Sequence, residues 1–197
     1  MMARTHIAFA SLMMVACSVG ILQRMPQLHE VAIAGAAGLL PDLDHPKSTF
    51  GRIVPYISIP LAAVFGHRGF THSILMVVVM VYLLLADHQN HNWPVLPLVV
   101  GYLSHIIGDM LTPSGVPLLW PMRQKFSFKL FKADGPMEQL IYRCCWVGIG
   151  YFLWVALGRP AQAWLQPVQQ LLEAQLWQLW ASGKVWLVYW VERLAAA

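Results

Sequence analysis

Histidine and aspartate recur in three short clusters of an otherwise apolar chain: PDLDH at 41–45, HRGFTHS at 67–73 and SHIIGDMLTPSG at 104–115. Imidazole nitrogens and carboxylate oxygens hold zinc and related ions, and ionisable groups beside apolar helices are costly unless they line such a site or a polar pathway. His105 and Asp109 stand four residues apart, which on a helix places both on one face about one turn apart, able to grip one ion. Asp42 and Asp44 flank a leucine after Pro41, so a tight turn can aim both at one centre. With His6, His67 and His72 there are donors enough for more than one divalent ion.

Zinc suits mixed imidazole and carboxylate ligands, while residue type alone leaves iron, manganese and nickel open. A divalent metal in an open site lowers the pKa of water and polarises a phosphoryl or acyl oxygen, so hydrolysis is the natural reaction class. The chain has no GxSxG elbow and no histidine–cysteine pairing, which argues against a covalent nucleophile. His72 is a candidate for proton transfer as well as ligation, and the planar guanidinium of Arg68 for holding a substrate phosphate.

Each of these residues also has a structural reading. His105 and Asp109 can staple two helices, Asp42 and Asp44 can cap backbone donors, His45 can belong to the turn before Pro46, and Arg68 can be a topology-fixing charge. One of His67 and His72 can orient a ligand rather than bind. Thr71 with Ser73 reads as a helix cap, and Thr112, Ser114 and Gly115 as shapers of the loop after the metal helix.

The elements that must position these groups are membrane helices. Of 197 residues, 58% are hydrophobic and 11% charged, with mean hydropathy +0.56, whereas soluble domains carry roughly 25% charged residues. Apolar runs at 7–22, 31–40, 73–86, 94–111 and 139–157 are the candidate spans, several short of the roughly 20 residues a lone crossing needs. Proline and glycine punctuate them at Pro26, Pro41, Pro46, Gly66, Gly69, Pro94 and Pro113–Pro117. The run 53–66, broken by Pro55 and Pro60, reads as an interfacial or re-entrant piece. Arg4 followed by apolar residues to Cys17 resembles a secretory or lipoprotein signal, but the run continues to Leu22 and is expected to be a retained first helix.

Helix alternation brings the clusters together. His6 opens the first helix, PDLDH closes the second, His67 and His72 precede the helix at 73–86, and His105 and Asp109 end the helix at 94–111. All then fall at one membrane face, which also carries Arg4, Lys47, Arg52, Arg68, Arg123, Lys125, Lys129 and Lys132, against only Arg24 in the opposite connections. By the positive-inside rule that face is cytoplasmic. The net charge of +4 is therefore topological, and no nucleic acid partner is expected. Cys17, Cys144 and Cys145 lack the spacing of a disulfide framework, redox motif or zinc knuckle. The domain is placed at 1–160, followed at 161–197 by a Trp-rich tail whose leucines recur at helical spacing, an interfacial or packing helix.

PDLDHP at 41–46, HRGFTHS at 67–73 and the run H-x3-D-x2-TPSGVPLLWP from His105 to Pro121 resemble the YdjM family of inner-membrane proteins, described as membrane-bound metal-dependent hydrolases. The resemblance covers roughly residues 1–160 and extends distantly to the zinc-dependent phospholipase C and P1 nuclease group, helical enzymes that cut phosphoesters at clustered zinc. It implies metal ligation by His105 and Asp109 through the H-x3-D spacing, by Asp42, and by His67 or His72. His6 is the least certain member, because the soluble enzymes use a free amino-terminal residue. The expectation is an all-α, polytopic membrane bundle with a polar metal site at one face. Its function is expected to be metal-dependent hydrolysis of phosphoesters, with membrane lipid as environment and candidate substrate. The proposed metal ligands are His6, Asp42, Asp44, His67, His72, His105 and Asp109, with His72 and Arg68 in the chemistry. A metal transporter or ion sensor is the alternative, although transporters place their sites near the midplane between internal repeats, and no repeat is visible.

Overall fold

The computed structural model describes residues 1–155, apart from 67, 88–90 and 123, together with 173–175, 177, 178 and 183. The expected ligand His67 and most of the expected interfacial tail lie outside the described residues. The chain divides into two compact units, Met1–Phe152 and Leu153–Ala197, and the helices that position the clusters belong to the first.

All regular structure among the described residues is helical; only Val116 and Phe126 form an isolated bridge. Helix α1, Ala3–Ala16, runs on through a wider π turn at Cys17–Ile21. Together they form the one described helix long and apolar enough to cross a membrane. Helix α2, Leu28–Ala37, is opened by Glu30, whose carboxylate accepts from the Gln27 backbone N–H at 2.9 Å and so satisfies one of the donors a helix start leaves free. Arg24 forks onto that carboxylate at 2.6 and 2.8 Å, and this pairing pulls the Glu30 pKa down to about 2.

Proline at its first turn starts α3, Pro55–Phe65, where a missing N–H costs nothing. Ser73 caps α4, Ile74–Ala86, by accepting from Met76 N at 3.2 Å. Helix α5 is Val95–Met110, and α6 occupies 136–155 of the described residues. The five apolar runs thus become α1, α2, α4, α5 and α6. The run 53–66 holds an 11-residue helix that at 1.5 Å per residue is too short to cross a bilayer on its own.

Helices α1, α2 and α5 pack on one another around Met14, Val15, Val31 and Ala34, with Leu96, Val100 and Phe152 against them. A second core joins α4 to α5 through Val77, Tyr102 and Ile106 and reaches Val116. A Cβ at Gly101 would fall 2.2 Å from the Ala34 carbonyl oxygen, so α2 and α5 touch backbone to backbone. Outward, α3, α4 and α6 expose Tyr56, Ile57, Val64, Val78, Tyr82, Leu83, Leu140 and Val147.

Candidate metal centre

The ends of four elements meet where the charged residues cluster. His6 lies one turn into α1; Asp42 and Asp44 stand on a short 3-10 turn, Pro41–Asp44, that follows α2; His72 closes another, Phe70–His72, just before α4; His105 and Asp109 occupy the last two turns of α5. His6, Asp44, His72, His105 and Asp109 are each no more than 1% exposed. Charged and imidazole groups survive such burial only when paired or bound.

Two carboxylate oxygens flank a pair of imidazole nitrogens. His72 Nε2 and His105 Nε2 are 3.2 Å apart. Asp42 Oδ1 lies 3.9 Å from the first and 3.7 Å from the second, and Asp109 Oδ2 lies 3.9 and 3.8 Å from them. A tetrahedral zinc site with bonds of about 2.0–2.1 Å has ligand–ligand edges of about 3.3 Å. The His72–His105 edge matches that figure, the edges to Asp42 and Asp109 are about half an ångström longer, and Asp42, His72 and His105 together form one group of ligand spacing. His6 Nε2 approaches the other Asp109 oxygen, Oδ1, at 3.3 Å, and His6, His105 and Asp109 form a second group of ligand spacing.

Neighbouring groups fix how the imidazoles present themselves. His105 Nδ1 meets the Gly38 carbonyl oxygen at 2.6 Å; a carbonyl only accepts, so Nδ1 carries the proton and Nε2 turns a lone pair to the centre. His72 Nδ1 lies 3.0 Å from Thr71 Oγ1 and 3.4 Å from Asp44 Oδ2. The Thr71 hydroxyl itself donates to Asp44 Oδ2 in a very short contact, which leaves its oxygen to accept from His72 Nδ1–H. Asp44 therefore stands behind His72, outside the four-atom cluster, in the place of a carboxylate that orients a metal-binding histidine.

Arg68 closes one side. Its Nη2 is 2.7 Å from Asp109 Oδ2, yet the approach falls outside hydrogen-bond geometry, and both that oxygen and Arg68 Nε are buried without a hydrogen-bond partner. The residue is held in the left-handed region at φ 59° by its backbone N–H donating to Asp44 Oδ2 at 2.9 Å. The Met1 ammonium also donates to Asp109 Oδ1, at 2.5 Å. His6 stacks on His105 with ring centroids 3.7 Å apart.

The structure thus gathers His6, Asp42, His72, His105 and Asp109, sets Asp44 one layer back, and brings Arg68 to the edge. Thr71 differs from its expected role. Ser73 alone caps α4, because the Thr71 hydroxyl is spent on Asp44 and His72. Thr112 shapes the loop as expected, donating to the Asp109 carbonyl at 2.8 Å and accepting from Ser127 at 2.6 Å. Two contributors were not singled out from sequence. Tyr102 donates to the Thr71 carbonyl at 2.5 Å, and its place three residues before His105 and seven before Asp109 is a helical stripe that could have revealed it. Glu138, 2% exposed, accepts from Met2 N at 2.6 Å and Asp134 N at 2.5 Å, tying α6 to the start of α1; no local motif marks it.

A family model described as YdjM inner membrane protein matches residues 1–191. Inner membrane protein YdjM of Escherichia coli (strain K12) is 39% identical over 160 residues, covering 77% of this chain and 80% of the relative; its Shigella flexneri counterpart matches to the same extent. Uncharacterized protein YvsG of Bacillus subtilis (strain 168) is 36% identical over 113 residues, covering 56% of this chain and 70% of that one. No solved structure matches.

Proposed function

Because the chain belongs to the YdjM inner membrane protein family, we propose that it is a multi-pass membrane hydrolase whose buried cluster holds a divalent metal, zinc by donor type, and acts on phosphoesters. The observation that carries this is the approach of two buried imidazole nitrogens, His72 Nε2 and His105 Nε2, to 3.2 Å with Asp42 and Asp109 oxygens beside them. Imidazole nitrogens and carboxylate oxygens at this spacing are the donor set that zinc and related ions take. Asp109 Oδ2, which faces the Arg68 guanidinium at 2.7 Å, is a further oxygen of the kind a metal takes.

His72, His105, Asp42 and Asp109 are the ligands this arrangement supports, with His6 against the second Asp109 oxygen. A divalent ion there supplies Lewis-acid polarisation of a phosphoryl oxygen and acidifies water. Arg68, its guanidinium at the rim of the cluster, positions the phosphoryl oxygens in the planar manner suited to them. Asp44 and Thr71 hold His72 in the tautomer that points Nε2 inward. The site end of the bundle faces the cytoplasm on the positive-inside argument.

Metal analysis of the purified protein beside His105→Ala and Asp109→Ala, with hydrolysis of bis(p-nitrophenyl) phosphate measured in parallel, tests the reading. We expect one or more equivalents of metal in the wild type, its loss in both variants, and activity that follows metal content. Equal metal in all three proteins would remove the site. Metal without hydrolysis of any phosphoester would make the centre a sensor or transport site.

A further inference from the structure

Two cavities open beside Arg68. One, of about 460 Å³, is lined by Val64, Arg68, Pro117, Trp120, Met122 and Lys125. The other, of about 520 Å³, includes Met1, Met2, Arg4, Asp42, Lys47 and Arg68 in its lining. Both fall in the range of roughly 300–1,000 Å³ typical of small-molecule sites. Arg68 belongs to both, and Asp42 joins the second to the metal cluster.

We propose that these cavities take the two ends of one amphiphilic phosphoester. Its apolar chain lies along Val64, Trp120 and Met122, its anionic or hydroxyl-bearing head group sits beside Lys47, and its phosphoryl group rests between them at Arg68. The proposal deepens, and rests on, the phosphoester-hydrolase reading. The chain side carries Val64, Pro117, Trp120, Pro121 and Met122, and Val64 belongs to α3 and is largely exposed there, a surface a lipid tail would follow. Lys125 at the same cavity suits a phosphate at its mouth. On the head-group side Arg68 and the Met1 ammonium are paired with Asp109 and Arg4 with Asp134, so Lys47 is the charge that favours a head group without positive charge over a quaternary ammonium.

Arg68 is built for the middle position. Its Nε is buried without an acceptor, and unsatisfied buried donors are rare unless something outside the chain completes them. Its left-handed backbone, φ 59°, is anchored to Asp44, so the guanidinium stands rigidly between the cavities. A small anion would need one of these spaces; a molecule with two unlike ends uses both.

The test measures binding by calorimetry to the zinc-loaded protein in dodecylmaltoside, with three probes: dihexanoyl phosphatidylglycerol, glycerol 3-phosphate and dihexanoyl phosphatidylcholine. The first is expected to bind at least about tenfold tighter than either of the others. Trp120→Ala and Lys125→Met should each shrink the advantage over glycerol 3-phosphate, and Lys47→Ala the advantage over phosphatidylcholine; retained zinc in each variant reports an intact fold. Equal affinity for the three probes, or variants with zinc bound and preferences unchanged, would overturn the assignment. Phosphorus NMR of the same samples separates the two readings. The binding pattern without turnover counts against the hydrolase and leaves the cavities assigned, whereas turnover without the pattern counts against the cavities alone.

Discussion

His72 and His105 point their Nε2 atoms at each other across 3.2 Å, each ring fixed from behind, one by Thr71 with Asp44 and the other by the Gly38 carbonyl. Neither ring can turn away without abandoning a buried partner. On the proposed reading the pair is a preorganised cation trap, and removing either half should empty it. We expect His72→Ala to lower bound metal by at least about tenfold, as a lost ligand should exceed the 10–100-fold cost of lost outer contacts. Elemental analysis after gel filtration reads the result; metal retained at wild-type stoichiometry would mean that His72 is no ligand.

The groups behind His72 allow a finer test, because they touch no metal. Asp44→Asn and Thr71→Val each remove part of the support for the Nδ1–H tautomer. Metal affinity in both should fall roughly 10–100-fold, measured by competition with a chromophoric chelator. If Asp44 were instead a direct ligand, Asp44→Asn would resemble His72→Ala, and Thr71→Val would leave affinity unchanged.

Helix existence was legible in the sequence because length and unbroken apolarity dominate such segments: α4 and α5 coincide with the runs 73–86 and 94–111 to within a residue at each end. The pairing of His105 with Asp109 was legible because it is local, one helical turn. The division of labour between Asp42 and Asp44 was not. Two carboxylates flanking one leucine have the same spacing to everything distant, and only the path from 45 to 71 decides which of them meets Thr71. Thr71 itself looked like a cap because Ser73, two residues on, satisfies the same pattern. Glu138 was invisible for another reason: its partners are backbone N–H groups of Met2 and Asp134, which carry no sequence signature.

Gly101 controls whether α5 can deliver its ligands. A side chain there would meet the Ala34 oxygen at 2.2 Å and the Ala37 Cβ at 2.7 Å, so Gly101→Val must push α2 from α5. Overpacking of this kind typically costs about 1–3 kcal/mol. We expect a lower melting temperature together with weaker metal binding, since the displaced α2 ends at Gly38, whose carbonyl holds His105. Wild-type melting with wild-type affinity would contradict the close backbone contact.

Glu30 makes a pH prediction outside the apolar runs. Its carboxyl, pulled by Arg24 from an ordinary 4.5 to about 2, is ionised in the folded protein at pH values where the unfolded chain already binds a proton. The stability it contributes is therefore complete above about pH 4.5 and is lost as pH falls from there toward about 2. Arg24 is 41% exposed on its side chain, so water and salt screen the pair and the contribution belongs to the modest class of surface ion pairs. Glu30→Gln should flatten that acid limb while leaving the neutral-pH melting temperature only slightly lower, and added salt should narrow the gap between the two proteins. Thermal melts in low salt from about pH 6 to about pH 3 provide the measurement; identical acid limbs would show that Glu30 titrates alike in both states.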